Sequence, residues 1–259
     1  MKHVALVMVV VVGLTIGCHR STPSFQPVID PVLAAQAKEE ILSKANESFE
    51  QRNWKEARRL YKHIYDAYPN DPDGRVALLR VADTYYEQGG EINLIEAQYK
   101  YRDFINRYPG SQDTDYAMLQ IAMVSFKQME RPDRDQTKTK DAIQKLIQMI
   151  EQYPDSDHRE EAARRLLEAK NRLAKHEHLV ARFYIRRGAC RAANGRLNDL
   201  VDDYPDYDER DGVFFDLGRC LERLGRIGEA RLYYERVVSE FPESQFAVEA
   251  KERLSASSS

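Results

Sequence analysis

The sequence predicts an all-α protein built as a helical solenoid of five stacked helix pairs. Two observations carry that reading. An aromatic-Pro phrase recurs five times, as Tyr68-Pro69, Tyr108-Pro109, Tyr153-Pro154, Tyr204-Pro205 and Phe241-Pro242, with Pro spacings of 40, 45, 51 and 37 residues. Each phrase closes a segment with apolar residues at i, i+3, i+4 and i+7, as in Ala57-Leu60-Tyr61-Ile64. Proline cannot continue a helix interior, so each phrase ends one helix and turns the chain into the next. Only 12 Gly occur in 259 residues, few for a sheet protein with many tight turns.

The chain starts with a segment of another kind. Met1-Lys2-His3 is basic, Val4 to Ile16 is almost wholly apolar, and the run ends at Gly17-Cys18. This order reads as a secretory signal over residues 1–17. The apolar run falls short of the ~20 residues that cross a bilayer as a helix. Thr15-Ile16-Gly17-Cys18 resembles a bacterial lipobox, with Thr15 where Leu is usual. That resemblance implies that Cys18 becomes the first mature residue and carries lipid. His19 follows, not the Asp of inner-membrane retention, which implies the periplasmic face of the outer membrane. Residues 18–35 hold Pro23, Pro27 and Pro31 among polar residues and are expected to be a flexible tether.

Repeats 1–3 are expected over 36–156, a long helix with repeats 4–5 over 157–254, and a disordered tail over 255–259. The fifth repeat fits the tetratricopeptide pattern most closely, with Phe214, Leu217-Gly218 and Leu221 in its first helix and Ala230, Tyr234, Val237 and Pro242 in its second. Ala45, Ala57 and Tyr61 mark the first unit; Ala82, Ala97 and Tyr101 the second; Ala122, Ala142 and Leu146 the third; Ala181, Ala193 and Leu197 the fourth. The fold class is thus a tetratricopeptide-like solenoid. No Pro or Gly interrupts the chain from Asp157 to Arg187, which predicts one helix of about 45 Å joining repeats 1–3 to repeats 4–5.

In such a solenoid the first helices of the pairs line a groove. Its expected N-terminal lining includes Phe49, Asp83, Tyr86, Tyr116, Met123 and Phe126, an aromatic and apolar set suited to an extended peptide. Several of these side chains also fit the core, because a solenoid buries most apolar helix faces. Lys175, His178, Arg182 and Arg219 make the C-terminal groove basic. The near-neutral net charge of -3 excludes nucleic-acid binding through bulk positive charge. It conceals a stretch, Arg159 to Arg196, with 11 Lys+Arg against 4 Glu. Such a run reads as a solvated helix face or as a surface for an acidic partner domain.

No catalytic constellation stands out, and the chain reads as a non-enzyme with no cofactor and no metal. His176 and His178 are spaced i, i+2, on divergent faces of a helix, a poor metal pair. Cys190 and Cys220 read as buried apolar residues, with a disulfide as the less favoured alternative.

Asn171-Arg172-Leu173-Ala174-Lys175-His176-Glu177, then Phe183-Tyr184 and Arg187-Gly188-Ala189, behind a lipobox and with five repeats, resemble the BamD family. These are the repeat lipoproteins of the outer-membrane β-barrel assembly machinery. The resemblance covers the whole mature chain. It implies an outer-membrane-anchored scaffold whose C-terminal repeats hold the POTRA domains of a BamA-like barrel protein, alongside other assembly-complex lipoproteins. It implies N-terminal repeats that receive unfolded barrel precursors through an aromatic-ended sequence. It also implies that Arg196, nine residues after Arg187, pairs with an acid of the partner. Lys175, Arg182, Arg187 and Arg196 are the expected partner-binding bases. Cys190 stands where the family often has an aromatic. The alternative is a periplasmic repeat lipoprotein serving envelope constriction or peptidoglycan synthesis with the Tol-Pal system.

Overall fold

The computed structural model describes residues 38–256. The expected signal peptide, the lipid site Cys18 and the tether over 18–35 lie outside the described residues. The described residues form eleven α-helices and no strand. In chain order these are α1 (Lys38–Glu50), α2 (Trp54–Ala67), α3 (Pro72–Gln88), α4 (Glu91–Arg107), α5 (Thr114–Lys127), α6 (Thr137–Gln152), α7 (Arg159–Arg186), α8 (Cys190–Asp203), α9 (Arg210–Arg223), α10 (Ile227–Glu240) and α11 (Ala247–Ala256). They pair as α1/α2, α3/α4, α5/α6, α7/α8 and α9/α10. Each helix packs mainly on its neighbours in the chain, as a solenoid requires.

The five aromatic-Pro phrases build one joint five times. Tyr68, Tyr108, Tyr153, Tyr204 and Phe241 each cap a second helix with φ between -134 and -129 and ψ between 53 and 66. The following proline bars these residues from the helical region, yet each still donates its N–H to the carbonyl four residues back. The N–H three residues on, at Asp71, Ser111, Ser156, Tyr207 and Ser244, then donates to the capping carbonyl at 3.0–3.2 Å. Asp71, Ser111, Ser156 and Ser244 also accept a backbone N–H from two residues ahead, at 2.9–3.3 Å, which starts the next first helix. Tyr207 has no such side chain and is buried instead.

The small residues of the repeat register let paired helices approach. Ala45, Ala82, Ala122 and Ala181 on first helices, and Ala57, Ala97, Ala142 and Ala193 on second helices, are fully buried. Gly218 takes the same place in α9, where a Cβ would lie 2.5 Å from the Tyr234 ring. Tyr61, Tyr101, Leu146, Leu197 and Tyr234 fill the space between.

The long helix is α7, 28 residues and about 42 Å. It is also the first helix of the fourth pair. Ala162 and Leu166, near its start, pack with Leu119, Leu146 and Met149 of the third pair. Ala174, Ala181 and Ile185 belong to the C-terminal core with Leu197, Phe214 and Leu217. Its middle is held from both sides. Arg172 donates to the carbonyls of Met129 and Glu130 at 3.3 Å, and His176 Nδ1 lies 2.7 Å from the carbonyl of Pro132, so the insert between α5 and α6 docks here. Asn171 accepts the Asp208 N–H at 2.9 Å.

The structure departs from the expected layout at the C-terminus. Residues 255–256, expected in a disordered tail, belong to α11, and 257–259 lie outside the described residues. Ala247 and Ala250 are buried, and Ala250 and Leu254 join the C-terminal core with Phe246. This short helix covers the end of the fifth pair, whose apolar face would otherwise meet water.

Candidate interaction surfaces

Phe49, Tyr86 and Phe126 are equivalent residues of three successive first helices. Each lies four positions after the small alanine, Ala45, Ala82 or Ala122. All three are half-buried, and a cation from the next first helix covers each ring. The Arg80 guanidinium lies 5.7 Å from the Phe49 ring, the Lys127 ammonium 4.2 Å from Tyr86, and the Arg165 guanidinium 5.3 Å from Phe126. Lys127 also donates to the Tyr86 carbonyl at 2.9 Å. The rings thus form a ladder across the first three pairs, each rung closed by a base. Met123 is half-buried against the Leu119-Leu146 core, beside Phe126.

Asp83 does not sit at the groove surface where the register places it. It is 5% exposed. Its Oδ1 accepts the hydroxyls of Tyr101 at 2.6 Å and Tyr116 at 2.9 Å, and its Oδ2 accepts Arg80 at 3.2 Å. Burial raises its carboxyl above the ordinary value, against the pull of Tyr101, Tyr116 and Arg80. The acid is a structural joint between α3, α4 and α5. Tyr116 is spent on the same joint and turns its half-buried ring toward His158, 5.4 Å away.

The structure splits the four expected partner-binding bases into two groups. Lys175 is paired with Glu209 and Arg182 with Asp216, so both are occupied within the chain. Asp216 is 2% exposed and receives Arg182 at 2.8 Å, His178 Nε2 at 3.2 Å and Arg219 at 3.6 Å. Burial works to raise its carboxyl, but the His178 and Arg182 hydrogen bonds outweigh it and hold the group below its ordinary value. His176 and His178 face different partners, the Pro132 carbonyl and Asp216, as their spacing implies.

Arg187 and Arg196 form the other group, linked through two rings. Arg187 lies 5.3 Å from the Phe183 ring, Phe183 meets Tyr184 edge-on at 5.8 Å, and Arg196 lies 5.5 Å from the Tyr184 ring. Arg196 also reaches Glu177 at 3.3 Å. Phe183 is 46% exposed and Leu179, one turn earlier on α7, is 37% exposed. The result is an open ridge of apolar surface edged by arginines, with exposed Arg186 at the end of α7 and exposed Arg191 at the start of α8. Large exposed rings beside arginine are the composition of binding-energy centres in protein interfaces. Sequence reasoning assigned the two arginines to the partner, quoted Phe183 only within the family motif, and passed over Leu179. The signal was available: neither residue falls on the apolar stripe that α7 buries.

A family model described as YfiO, outer membrane lipoprotein, matches residues 34–225. The chain belongs to this outer membrane lipoprotein family. Membership in YfiO places the protein at the outer membrane, and no described helix is long and apolar enough to cross a membrane. A tetratricopeptide repeat model also matches residues 213–244, the fifth pair. Among relatives of this chain, the outer membrane protein assembly factor BamD of Xylella fastidiosa (strain Temecula1) is 25% identical over 230 residues, 86% of this chain and 76% of its own length. The BamD of Vibrio cholerae is 40% identical over 78 residues, 30% of this chain and 32% of its own. Among solved structures, the TPR2AB-domain:pHSP90 complex of yeast Sti1 aligns over 85% of this chain and 82% of that one, at 15% identity and a TM-score of 0.46.

Proposed function

We propose that the protein is a scaffold that acts in the assembly of β-barrel proteins into the outer membrane. It is anchored at the periplasmic face by lipid on Cys18 and works by binding and orientation, without a cofactor. The observation that carries this reading is the family match over residues 34–225, whose BamD relatives are named for outer membrane protein assembly.

Two surfaces divide the work. The Arg187–Phe183–Tyr184–Arg196 ridge receives an acidic POTRA domain of a BamA-like barrel protein. Its rings supply apolar area, and its arginines match carboxylates in a bidentate manner. The ladder of Phe49, Tyr86 and Phe126 receives an extended, aromatic-rich segment of an unfolded barrel precursor. Affinity there comes from rings exchanging partners with the bases that cover them.

The test is recovery of partners from detergent-solubilised membranes with the full-length, tagged protein. A large POTRA-bearing barrel protein is the expected companion. Recovery of Tol-Pal components or wall synthases in its place would overturn the proposal and favour an envelope-constriction role.

A further inference from the structure

Cys190 and Cys220 have no part in either surface, yet they are neighbours. Cys190 is the first residue of α8 and Cys220 lies in α9, so the pair spans the joint between the fourth and fifth repeats. They are 2% and 0% exposed and belong to one apolar core. Both thiols are free in the structure, on two helices that pack together, and Cys190 is near enough to raise the Cys220 thiol. Two buried thiols in one core of a periplasmic protein are candidates for a structural bridge, which needs proximity and an oxidising compartment.

We propose that Cys190 and Cys220 form a disulfide in the mature protein, fastening the fourth repeat to the fifth. The inference rests on the periplasmic location given above. Burial, and then the adjacent Cys190, push the Cys220 thiol up to about 12. The thiolate that exchange requires is therefore scarce once the core has closed. The bond is made while the last two repeats are still open. One cysteine attacks the disulfide of an oxidised thiol-exchange protein, and the mixed disulfide forms. The second cysteine displaces that protein, which leaves as a dithiol with the two electrons and two protons. The closed loop is about 30 residues, long enough for a sizeable loss of unfolded-state freedom. The bridge anchors the start of α8, just beyond the Arg187-Gly188-Ala189 turn, and so holds the ridge in place under load.

The experiment uses full-length protein purified from membranes, acid-quenched, denatured and alkylated with N-ethylmaleimide, with and without prior reduction. Mass spectrometry of the peptides follows. Without reductant the Cys190 and Cys220 peptides are expected to be joined and unalkylated, and reduction should free both. The linked protein should melt about 5–10 °C above its reduced form, a gap that Cys220→Ser abolishes. Two free, alkylated cysteines without reductant would overturn the proposal. Refolding the reduced protein in a glutathione redox buffer then tells why. A bond formed there but absent from cells faults the periplasmic location; no bond in either faults the pairing of the thiols.

Discussion

Arg182 on α7 donates to the Asp216 carboxylate on α9 at 2.8 Å, joining the first helices of two successive repeats through an acid that is 2% exposed. The second repeat uses a related device with the charges exchanged. Arg80 and Asp83 stand two before and one after the small Ala82, and Asp216 and Arg219 stand two before and one after Gly218. Each is an i, i+3 pair, at 3.2 Å and 3.6 Å.

The two acids respond to pH in opposite ways. The carboxyl of Asp216 is held below its ordinary 3.8, so its stabilisation is present above that value and is lost as pH falls through the folded value. The carboxyl of Asp83 is held above 3.8, so its contribution is full below that value and fades as pH rises through the folded one. Hydrogen exchange, corrected for intrinsic rates, should show α9 losing protection on acidification while α3 keeps the part due to Asp83. Asp216→Asn should remove most of this acid sensitivity from α9. Equal loss in both helices would count against the assignment.

Charge reversal on the ridge should separate binding from folding. Arg196 touches Glu177 and the Tyr184 ring and is otherwise exposed, so Arg196→Glu should cost under about 1 kcal/mol of stability. Recovery of the POTRA-bearing partner should fall about tenfold or more, because a buried interfacial charge would meet a like charge. Thermal melts and co-purification from the same preparation measure the two effects.

The ring ladder calls for a substitution that preserves volume. Phe49, Tyr86 and Phe126 are half-buried, so alanine would open cavities as well as remove rings. Replacing all three by Leu should weaken binding of an aromatic-ended barrel-precursor peptide by about tenfold, with the melting temperature little changed. Fluorescence anisotropy with a labelled peptide reads the affinity. An unchanged value would remove the ladder from the peptide site.

Gly74 allows no side chain. A Cβ there would lie 1.8 Å from the Tyr68 carbonyl oxygen, which is backbone and already accepts the Asp71 N–H. Gly74→Ala should destabilise the protein by about 3 kcal/mol, seen as a lower denaturation midpoint.

Arg52 is a place where the sequence falls short of its own pattern. Gly188 and Gly225 close the first helices of the fourth and fifth repeats with φ of 75, and Arg52 closes that of the first with φ of 57. A side chain in this region is strained, so Arg52→Gly should stabilise the first repeat by about 0.5–1 kcal/mol, after allowance for the freer unfolded chain. Denaturant melts of the two proteins would measure it.

The repeats could be read because their signals are local. A proline, the aromatic before it and a small residue at fixed spacing determine each joint, and all five joints take one geometry. The long helix was legible for the same reason, as an unbroken run without Pro or Gly. The fate of the charged residues was not. Lys175 and Arg182 find Glu209 and Asp216, each 34 residues further along the chain, and nothing in the local pattern forecasts those partners. Asp83 looked like a surface acid until Tyr101 and Tyr116 arrived from two other helices. The final helix escaped notice because alanines supply much of its apolar face.

The long helix has a mechanical consequence. It is rooted at one end among residues of the third repeat and at the other among those of the fifth. No hinge interrupts its 28 residues. A tilt of about 5° imposed at its third-repeat end would therefore swing the far end by about 4 Å. That is enough to shift an arginine out of reach of its carboxylate. The helix is a lever, and the arginine-edged ridge is its working end.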